Sequence, residues 1–323
     1  MSPKRLLLIV NPKSGTSSKL GVADRIAHKL EKEGFDVRIH YTTGPGNATS
    51  VAREAADEGY YGVVACGGDG TVNEVASGLC GTRTALGIIP LGSGNGLARH
   101  LEIPIDDRAA TRVVAADHII DCDYCTVNGR PFFCTFGVGF DAVVSQNFAK
   151  RRGRGLINYL KSVIDVFVTY KPQEYRIRIA DETLTEKAFL IVCCNASQYG
   201  NNAYIAPGAS ITDGLIDLTI VHDTNLLQNL RLGADLISGL LYKNRYIDSL
   251  RTRELTISCG KEEPVPIHID GEPLRMAPPL NVRVHPGEIR IFVPGRSTRF
   301  IPVLTPLWCN GRDLILAIGR IFK

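Results

Sequence analysis

The stretch GVVACGGDGT, residues 62–71, places a glycine-rich loop directly after a short apolar run. The run over residues 62–66 is continuous and apolar, which is typical of a strand buried on both faces. Three glycines surround Asp69 in the loop that follows, and glycine lets the backbone approach a bound phosphate closely. The stretch therefore predicts a central strand that ends at an anion-binding loop.

Two similar loops follow neighbouring predicted strands. Residues 6–10 form an apolar run before NPKSG at 11–15, and residues 86–89 precede PLGSGN at 90–95. The sequence between these strands predicts a further strand over 35–41 and helices over 22–33, 48–58 and 72–79, with another helix opening at 96. Such alternation is typical of a parallel sheet with helices on both faces, whose ligands bind at the carboxyl ends of the strands. One loop alone could be a plain turn, but three at one sheet edge predict a phosphate site.

The pattern changes after about residue 118 to short strands separated by turn signals. The predicted strands are 119–127, 131–138, 175–180, 187–195, 215–222, 253–258, 267–270, 280–285 and 288–293, with helices at 155–170 and 225–246. This pattern predicts an antiparallel β-sandwich. The expected organisation is an α/β domain over 1–118, a β-sandwich domain over 119–295 and a tail over 296–323.

Composition restricts the location and the partners. The chain has 323 residues and a net charge of +4, which is too small to indicate a nucleic-acid partner. No apolar run reaches the ~18 residues of a spanning helix, and the N-terminal run is too short for a signal peptide. Several of the nine cysteines lie in apolar runs, as in a reducing compartment. We therefore expect a cytoplasmic protein.

Cys122 and Cys125 form a lone CxxC on a predicted strand, which favours core thiols over zinc.

The loops do not match the commonest nucleotide-binding motifs. There is no G-x-x-x-x-G-K-[ST], no G-x-G-x-x-G after the first strand, and no protein-kinase signature. Instead, residues 11–15, 67–75 and 90–99 resemble the nucleotide-binding motifs of the diacylglycerol kinase catalytic-domain family, which includes bacterial lipid kinases and sphingosine kinases. Ser93 departs from the threonine that is usual there but keeps the hydroxyl. Phosphofructokinases and NAD kinases share a related Gly-Gly-Asp-Gly loop, so that loop alone would leave them open.

The second half of the chain resembles the same family. Residues 136–142, 206–209 with 213–217, and 269–273 match its later segments, so the resemblance covers about residues 4–294. It implies an NAD-kinase/phosphofructokinase-like α/β domain followed by a β-sandwich, and a kinase that transfers the γ-phosphoryl group of ATP to a lipid hydroxyl. The ATP contacts that it implies are Asn11, Pro12, Ser14, Gly15, Thr43, Gly67, Gly68, Asp69, Gly70, Thr71, Asn73, Glu74, Gly92, Ser93, Gly94 and Asn95.

Acidic residues carry the remaining implied roles. Asp213 is the implied side-chain ligand of a structural Mg²⁺, helped by backbone carbonyls near Ser210 and Leu215, and Asp69 would reach that ion through water and join the two domains. Asp270 and Glu272 resemble the catalytic acidic pair, with Asp69 as a further catalytic residue. On an extended chain both would point the same way, although Asp-Gly could equally form a hairpin turn. Asp121 or Asp123 would contact the substrate, although a solvated strand-end acid would look the same.

A lipid acceptor implies contact with a membrane surface. Eight bases and two acids lie between residues 146 and 178, and the run 150–154 precedes the apolar helix predicted at 155–170. This segment, or the tail with Trp308, Arg312 and Arg320, could dock on the inner membrane face, although a solvated face beside a buried helix is the alternative. An exposed edge strand could mediate a homodimer. The alternative functions are a kinase for a soluble metabolite such as NAD, and a non-catalytic nucleotide- or lipid-binding protein.

Overall fold

The computed structural model describes residues 3–12, 20–151, 156–223 and 226–295. These residues form two compact units. The first unit contains residues up to 124, together with 211–214 and 285–295, and the second contains 125–210 and 215–284. The first unit therefore extends beyond the predicted boundary at 118. It also includes the two later segments 211–214 and 285–295.

The first unit is an α/β fold. Its elements in chain order are β1 Lys4–Val10, α1 Leu20–Lys32, β2 Phe35–Tyr41, α2 Asn47–Asp57, β3 Gly62–Gly67, α3 Asp69–Leu79, β4 Ala85–Pro90, α4 Gly96–His100 and α5 Asp107–Ala115. The strands are parallel in the order β2-β1-β3-β4. Helix α1 packs against α5, and α2 packs against α3, so both faces of the sheet are covered. This coverage explains why every residue of β3 and β4 is buried, and it confirms the predicted parallel sheet.

The second unit is an antiparallel β-sandwich with three helices. Its elements are β5 Ile119–Val127, β6 Arg130–Phe132, β7 Thr135–Gly139, α6 Phe140–Lys150, α7 Leu156–Thr169, β8 Gln173–Ile179, β9 Glu182–Cys194, β10 Ile216–His222, α8 Leu226–Ser238, a 3-10 turn Leu241–Lys243, β11 Ile247–Thr252, β12 Glu254–Cys259, β13 Val265–Ile269, β14 Glu272–Met276 and β15 Leu280–Phe292. The start of β5 and the end of β15 belong to the first unit. The predicted sandwich is confirmed.

Strand β9 organises the second unit because it pairs with three partners. Its first half pairs with β8, and its second half pairs with both β7 and β10. On the far side of β7 lie β13 and then β14, and on the far side of β8 lie β12 and the start of β15. Fully buried side chains such as Phe132, Phe136 and Ile267 fill the core.

The three helices of the second unit pack on one part of β9. The side chains of Phe189 and Leu190 contact an apolar cluster from α6 and α7 as well as a second cluster that includes Leu232 of α8. The Phe140 ring stacks on Phe189 with 4.4 Å between the ring centroids. This aromatic packing holds α6 and α7 on the sheet.

Several predicted elements differ from the structure. The helix predicted over 225–246 ends at Ser238, because Gly239 takes a φ of 73° that terminates the helix, and a 3-10 turn follows. The strand predicted over 131–138 is two short strands, β6 and β7. The strands predicted at 280–285 and 288–293 are one strand, β15. Pro286 and Gly287 suggested a break, but the chain pairs on both sides of them. Helices α5 and α6 and strands β11 and β14 were not predicted.

The lone CxxC lies in β5 as predicted, and both thiols are buried. Burial raises the pKa of Cys122 to about 12, so this thiol is neutral in the structure described. Within the described ranges, no helix combines the length and the apolar character needed to span a membrane.

Candidate active site

The structure brings the three glycine-rich loops of the first unit together. The Asn11 side-chain amide donates a hydrogen bond to Thr71 Oγ1 at 3.2 Å, which links the first loop to the second. The Leu91 amide donates to the Gly67 carbonyl at 2.7 Å, which links the third loop to the second. A Cβ added to Gly92 would lie 2.5 Å from Gly68 Cα, whereas a Cβ added to Gly68 would lie 3.2 Å from Gly92 Cα. Glycine at position 92 is therefore a packing requirement, and position 68 tolerates a side chain only with a small shift.

Asp69 fixes the shape of the third loop. One carboxylate oxygen accepts the Asn95 amide at 2.8 Å, and the other accepts the Gly96 amide at 2.7 Å, so Asp69 caps the start of α4. Asn95 takes a left-handed backbone conformation with φ 54°, and its buried side chain exchanges two hydrogen bonds with the Gly92 backbone. Asp69 and Asn95 together hold the loop in one conformation.

The start of α3 is suited to an anion. Its N-cap residue is Gly68, which makes no side-chain cap of the helix. Uncapped amide groups at a helix start, together with the helix dipole, favour a negative ligand such as phosphate. Gly70 and Ser93 are exposed beside this helix start, where a ligand could reach them.

Glu74 and Thr43 meet at the start of a different helix, α2. The Glu74 carboxylate accepts the Ala48 amide at 3.2 Å, and the Thr49 hydroxyl donates to the Glu74 carbonyl. The Thr43 amide donates to Asn47 Oδ1, and Thr43 is exposed beside the start of α2. Glu74 thus connects α2 to α3. Asn73 is half-buried and Pro12 is exposed, whereas Ser14 and Gly15 lie outside the described residues.

A methyl group at Gly92 should disrupt this site. We expect Gly92→Ala to raise the KM for the nucleotide at least about tenfold, because the new Cβ must push the second loop away from the third. Gly233→Ala in α8 is the matched control, since a Cβ there meets no atom within 4 Å and the residue lies outside the glycine loops. Steady-state kinetics with varied ATP measures both. Equal KM values for the two variants would contradict the packing argument.

Asp123 is buried and anchors two segments of the first unit. It is 2% exposed, and its carboxylate accepts the Gly214 amide at 2.7 Å and the Gly287 amide at 2.8 Å. Its own amide donates to the Ile211 carbonyl. Asp123 therefore holds segment 211–214 and the bend in β15. Asp121, by contrast, is exposed and pairs with Arg290, so it is the accessible one of the two predicted substrate acids.

Removing the Asp123 carboxylate should cost stability. Asp123→Ala leaves two backbone amides without their acceptor, so we expect the free energy of unfolding to fall by about 2–5 kcal/mol. Asp121→Ala removes only an exposed ion pair and should change it by less than about 1 kcal/mol. Chemical denaturation of both variants tests this. A similar small loss in both would show that the Asp123 hydrogen bonds contribute little.

The predicted metal ligands Ser210, Asp213 and Leu215 lie on the segment between β9 and β10. Asp213 is exposed, and its neighbour Gly214 is fixed by Asp123. No group of three or more His, Cys, Asp or Glu side chains able to hold a metal occurs in the part of the chain that the structure describes. One carboxylate with backbone carbonyls and water is nevertheless the all-oxygen, water-rich donor set that Mg²⁺ accepts. The residues present therefore fit Mg²⁺.

The hairpin between β13 and β14 carries Asp270 and Glu272. Asp270 and Gly271 form its turn with φ values of 48° and 81°, so the two acids do not share an extended segment. The Asp270 carboxylate accepts the backbone amides of residues 133, 134 and 135 at 2.8–3.0 Å. Glu272 is exposed, and no hydrogen bond to its carboxylate is found among the described residues. Of the two alternatives, an extended segment or a hairpin turn at Asp270 and Gly271, the structure has the hairpin turn.

A buried polar cluster lies behind this hairpin and was not predicted. Asp141 Oδ2, near the start of α6, accepts the Tyr199 hydroxyl at 3.0 Å and lies 2.9 Å from His268 Nε2. His268 is 1% exposed, and its Nδ1 has no hydrogen-bond partner among the described groups. A Cβ on Gly137 would lie 2.3 Å from His268 Nε2, which explains that glycine. The cluster holds β13 against α6.

Comparison with known proteins gives matches to both units. The family described as "Diacylglycerol kinase catalytic domain" matches residues 5–127, and that described as "YegS C-terminal NAD kinase beta sandwich-like domain" matches residues 134–293. A diacylglycerol kinase of Bacillus subtilis is 29% identical over 278 residues, covering 83% of this chain and 90% of that protein. A Chromohalobacter salexigens protein named "Probable lipid kinase YegS-like" is 30% identical over 272 residues, covering 82% of this chain and 86% of its own length.

A solved structure shows the same fold. A putative diacylglycerol kinase from Bacillus anthracis superimposes with a TM-score of 0.75 at 23% identity, and the match covers 90% of this chain and 98% of that one. At this identity the likeness establishes the fold of the chain.

Proposed function

Because the chain belongs to the diacylglycerol kinase catalytic-domain family of lipid kinases, we propose that it transfers the γ-phosphoryl group of ATP to the hydroxyl group of a lipid alcohol, with diacylglycerol as the first candidate. The observation that carries the proposal is the arrangement of the loops at the ends of β1, β3 and β4. Asp69 and Asn95 hold these loops in one conformation, and the uncapped start of α3 favours a phosphate.

The protein would position the γ-phosphoryl group for direct transfer to the lipid hydroxyl and would not itself form a covalent bond to it. Phosphoryl transfer needs the attacking and leaving oxygens nearly in line and the developing charge neutralised. Backbone amides of the glycine loops would supply part of that neutralisation. The predicted contacts Asn11, Thr71 and Ser93 would add a side-chain amide and hydroxyls.

Mg²⁺ would be held by Asp213 with carbonyl oxygens near Ser210 and Leu215. When bound, such an ion neutralises phosphate charge and orders the residues around it. Asp123 contributes by fixing the Gly214 amide, which sets the direction of the chain beside Asp213. Loss of Asp123 should therefore weaken Mg²⁺ activation as well as stability.

Glu272 is our candidate for the base that accepts the proton of the lipid hydroxyl. Its carboxylate is exposed, whereas that of Asp270 accepts three backbone amides. The O–H bond would break as the hydroxyl oxygen bonds to phosphorus, with the proton moving to Glu272 and ADP leaving. Asp270 would position the hairpin, and the exposed Asp121 would contact the acceptor.

The lipid acceptor would be presented by a membrane surface, so we propose peripheral contact of a cytoplasmic enzyme with the inner face of the membrane. The basic residues Arg152 and Arg154 and the tail from 296, which the sequence also favoured for this contact, lie outside the described residues. Strands β2, β11 and β14 each pair on one side only, and a homodimer through such an edge stays a prediction.

Transfer of labelled phosphate from Mg²⁺-bound ATP tests the proposed reaction. The acceptors would be diacylglycerol, dihydrosphingosine, ceramide and phosphatidylglycerol in mixed micelles, with NAD in solution alongside. Label in one lipid supports the proposal and identifies the acceptor. Label only in NAD would favour the soluble-metabolite kinase, and no label in any acceptor would favour a non-catalytic binding protein.

A further inference from the structure

The outward face of α7 contains apolar side chains where a water-facing helix ordinarily has polar ones. Residues 161, 164, 165 and 168 share one face of the helix at a spacing of three and four, and all four are exposed. Ile164 is 63% exposed and Val168 is 80% exposed. These two side chains lie one turn apart, so they form a contiguous apolar surface rather than isolated contacts with water.

The opposite face of α7 packs on the protein, so Ile164 and Val168 are not core residues that happen to be exposed. Ser162 and Val166 are buried, and Val163 and Phe167 pack on the cluster around Phe140. Over residues 161–169, whose side chains the structure describes, the inner face of α7 is therefore filled by apolar contacts, and Ile164 and Val168 are additional apolar residues on its outer face.

A second helix in the same region repeats the pattern. Leu232 and Leu236 of α8 pack on the cluster that Phe189 and Leu190 also contact, whereas Ile237 is 54% exposed. The described residues contain four exposed large hydrophobic side chains, and three of them are Ile164, Val168 and Ile237. Three of the four therefore lie on the two helices, α7 and α8, whose buried clusters both contact Phe189 and Leu190 of β9.

The charges around the face are positive. Lys161 lies on the face itself, and Lys150 and Lys171 are exposed just before and after the α6–α7 region. The one acid in α7, Asp165, forms an ion pair with Arg151, so its charge is compensated locally. An apolar stripe with lysines around it complements a surface that is negative outside and apolar beneath, as an anionic bilayer is.

We propose that the outward face of α7, carrying Lys161, Ile164 and Val168, is the surface that inserts into an anionic membrane. The inference rests on the proposed lipid-kinase function, since that function supplies the reason for contact with a bilayer. Ile164 and Val168 would enter the boundary between headgroups and acyl chains, and Lys161 would remain among the phosphates.

Sedimentation of the full chain with vesicles, without ATP, tests the surface separately from the reaction. We expect Ile164→Ser combined with Val168→Ser to weaken binding to phosphatidylcholine–phosphatidylglycerol vesicles about tenfold or more. Lys161→Glu should weaken it roughly tenfold on these vesicles and have little effect on pure phosphatidylcholine. Leu250→Ser is the matched control, because Leu250 is exposed but lies on β11, and its binding should stay within about twofold of wild type.

Kinetics with a short-chain diacylglycerol dissolved as monomers separates this proposal from the proposed function. The double variant should keep wild-type turnover on the monomeric substrate and lose it on vesicles. Weakened sedimentation in a chain that phosphorylates no lipid would support the surface and overturn the reaction. Unchanged sedimentation of the double variant, or an equal loss in Leu250→Ser, would overturn the surface. The wild-type protein could instead form a dimer, bind no vesicles, and dissociate when both residues are substituted. That result would overturn the membrane surface and assign the face to a second copy of the chain.

Discussion

Glu272→Gln should lower the turnover number for phosphoryl transfer by about 10²–10⁴-fold, the range that general-base catalysis typically contributes. The substitution keeps the size of an exposed side chain and removes only its ability to accept a proton at neutral pH. Because no structural hydrogen bond to the Glu272 carboxylate is found among the described residues, the thermal midpoint of unfolding and the KM for ATP should stay at wild-type values.

Two further variants make this result decisive. Glu263→Gln changes another exposed acid just before β13 and should leave turnover unchanged. Asp270→Asn should lower the thermal midpoint, because its carboxylate holds three backbone amides, and any loss of turnover would accompany that loss of order. The reverse pattern, with Asp270→Asn inactive but fully stable and Glu272→Gln active, would assign the base to Asp270. Retained turnover in a variant that combines Asp270→Asn with Glu272→Gln would show that neither carboxylate takes part in the chemical step.

Asp69→Ala should reduce kcat/KM for ATP by about 10²–10⁴-fold, since two hydrogen bonds to a charged group are lost at about 1.5–3 kcal/mol each. Without the carboxylate, the amides of Asn95 and Gly96 lose their acceptor and the third loop is released from the second. Isothermal titration with a non-hydrolysable ATP analogue would separate the loss of binding from the loss of turnover.

Asp106 provides a matched control for that variant. It also caps a helix, since its carboxylate accepts the Ala109 amide at the start of α5, but it lies outside the glycine loops. Asp106→Ala should cost about 0.5–2 kcal/mol of stability while kcat/KM stays unchanged. If Asp69→Ala behaved in the same way, Asp69 would be only a helix cap, with no part in nucleotide binding.

The sequence predicted well wherever a local pattern and the tertiary structure agree. The apolar runs of β1, β3 and β4 are buried strands because helices cover both faces of their sheet, and the glycine loops follow directly from where those strands end. The predicted strands that end at 127 and begin at 131 are joined by Asn128 and Gly129, and both residues take the positive φ that this dipeptide favours in a turn.

The errors have a common physical origin in long-range contacts. Pro286 and Gly287 signalled a break in β15, but Asp123, far away in the chain, accepts the Gly287 amide and holds the strand together. The sequence left open whether Asp270 lies in an extended segment or in a turn, since the carboxylate of Asp270 is directed to a loop more than a hundred residues earlier, which no local pattern shows. The cluster of Asp141, Tyr199 and His268 joins three separate segments, so no window of sequence could show it.

The discontinuous first unit has a consequence for how the protein is made. Its sheet is completed when Ile291 pairs beside Leu86 and the Val293 amide donates to the His118 carbonyl, although nearly the whole of the second unit lies between these residues in the chain. During synthesis on the ribosome, the nucleotide loops therefore emerge long before the strand that finishes their sheet. Folding of this unit to its final form must wait until residues 291–293 have left the ribosome, and a fragment ending near residue 124 would expose the edge of β4 to aggregation and to chaperones.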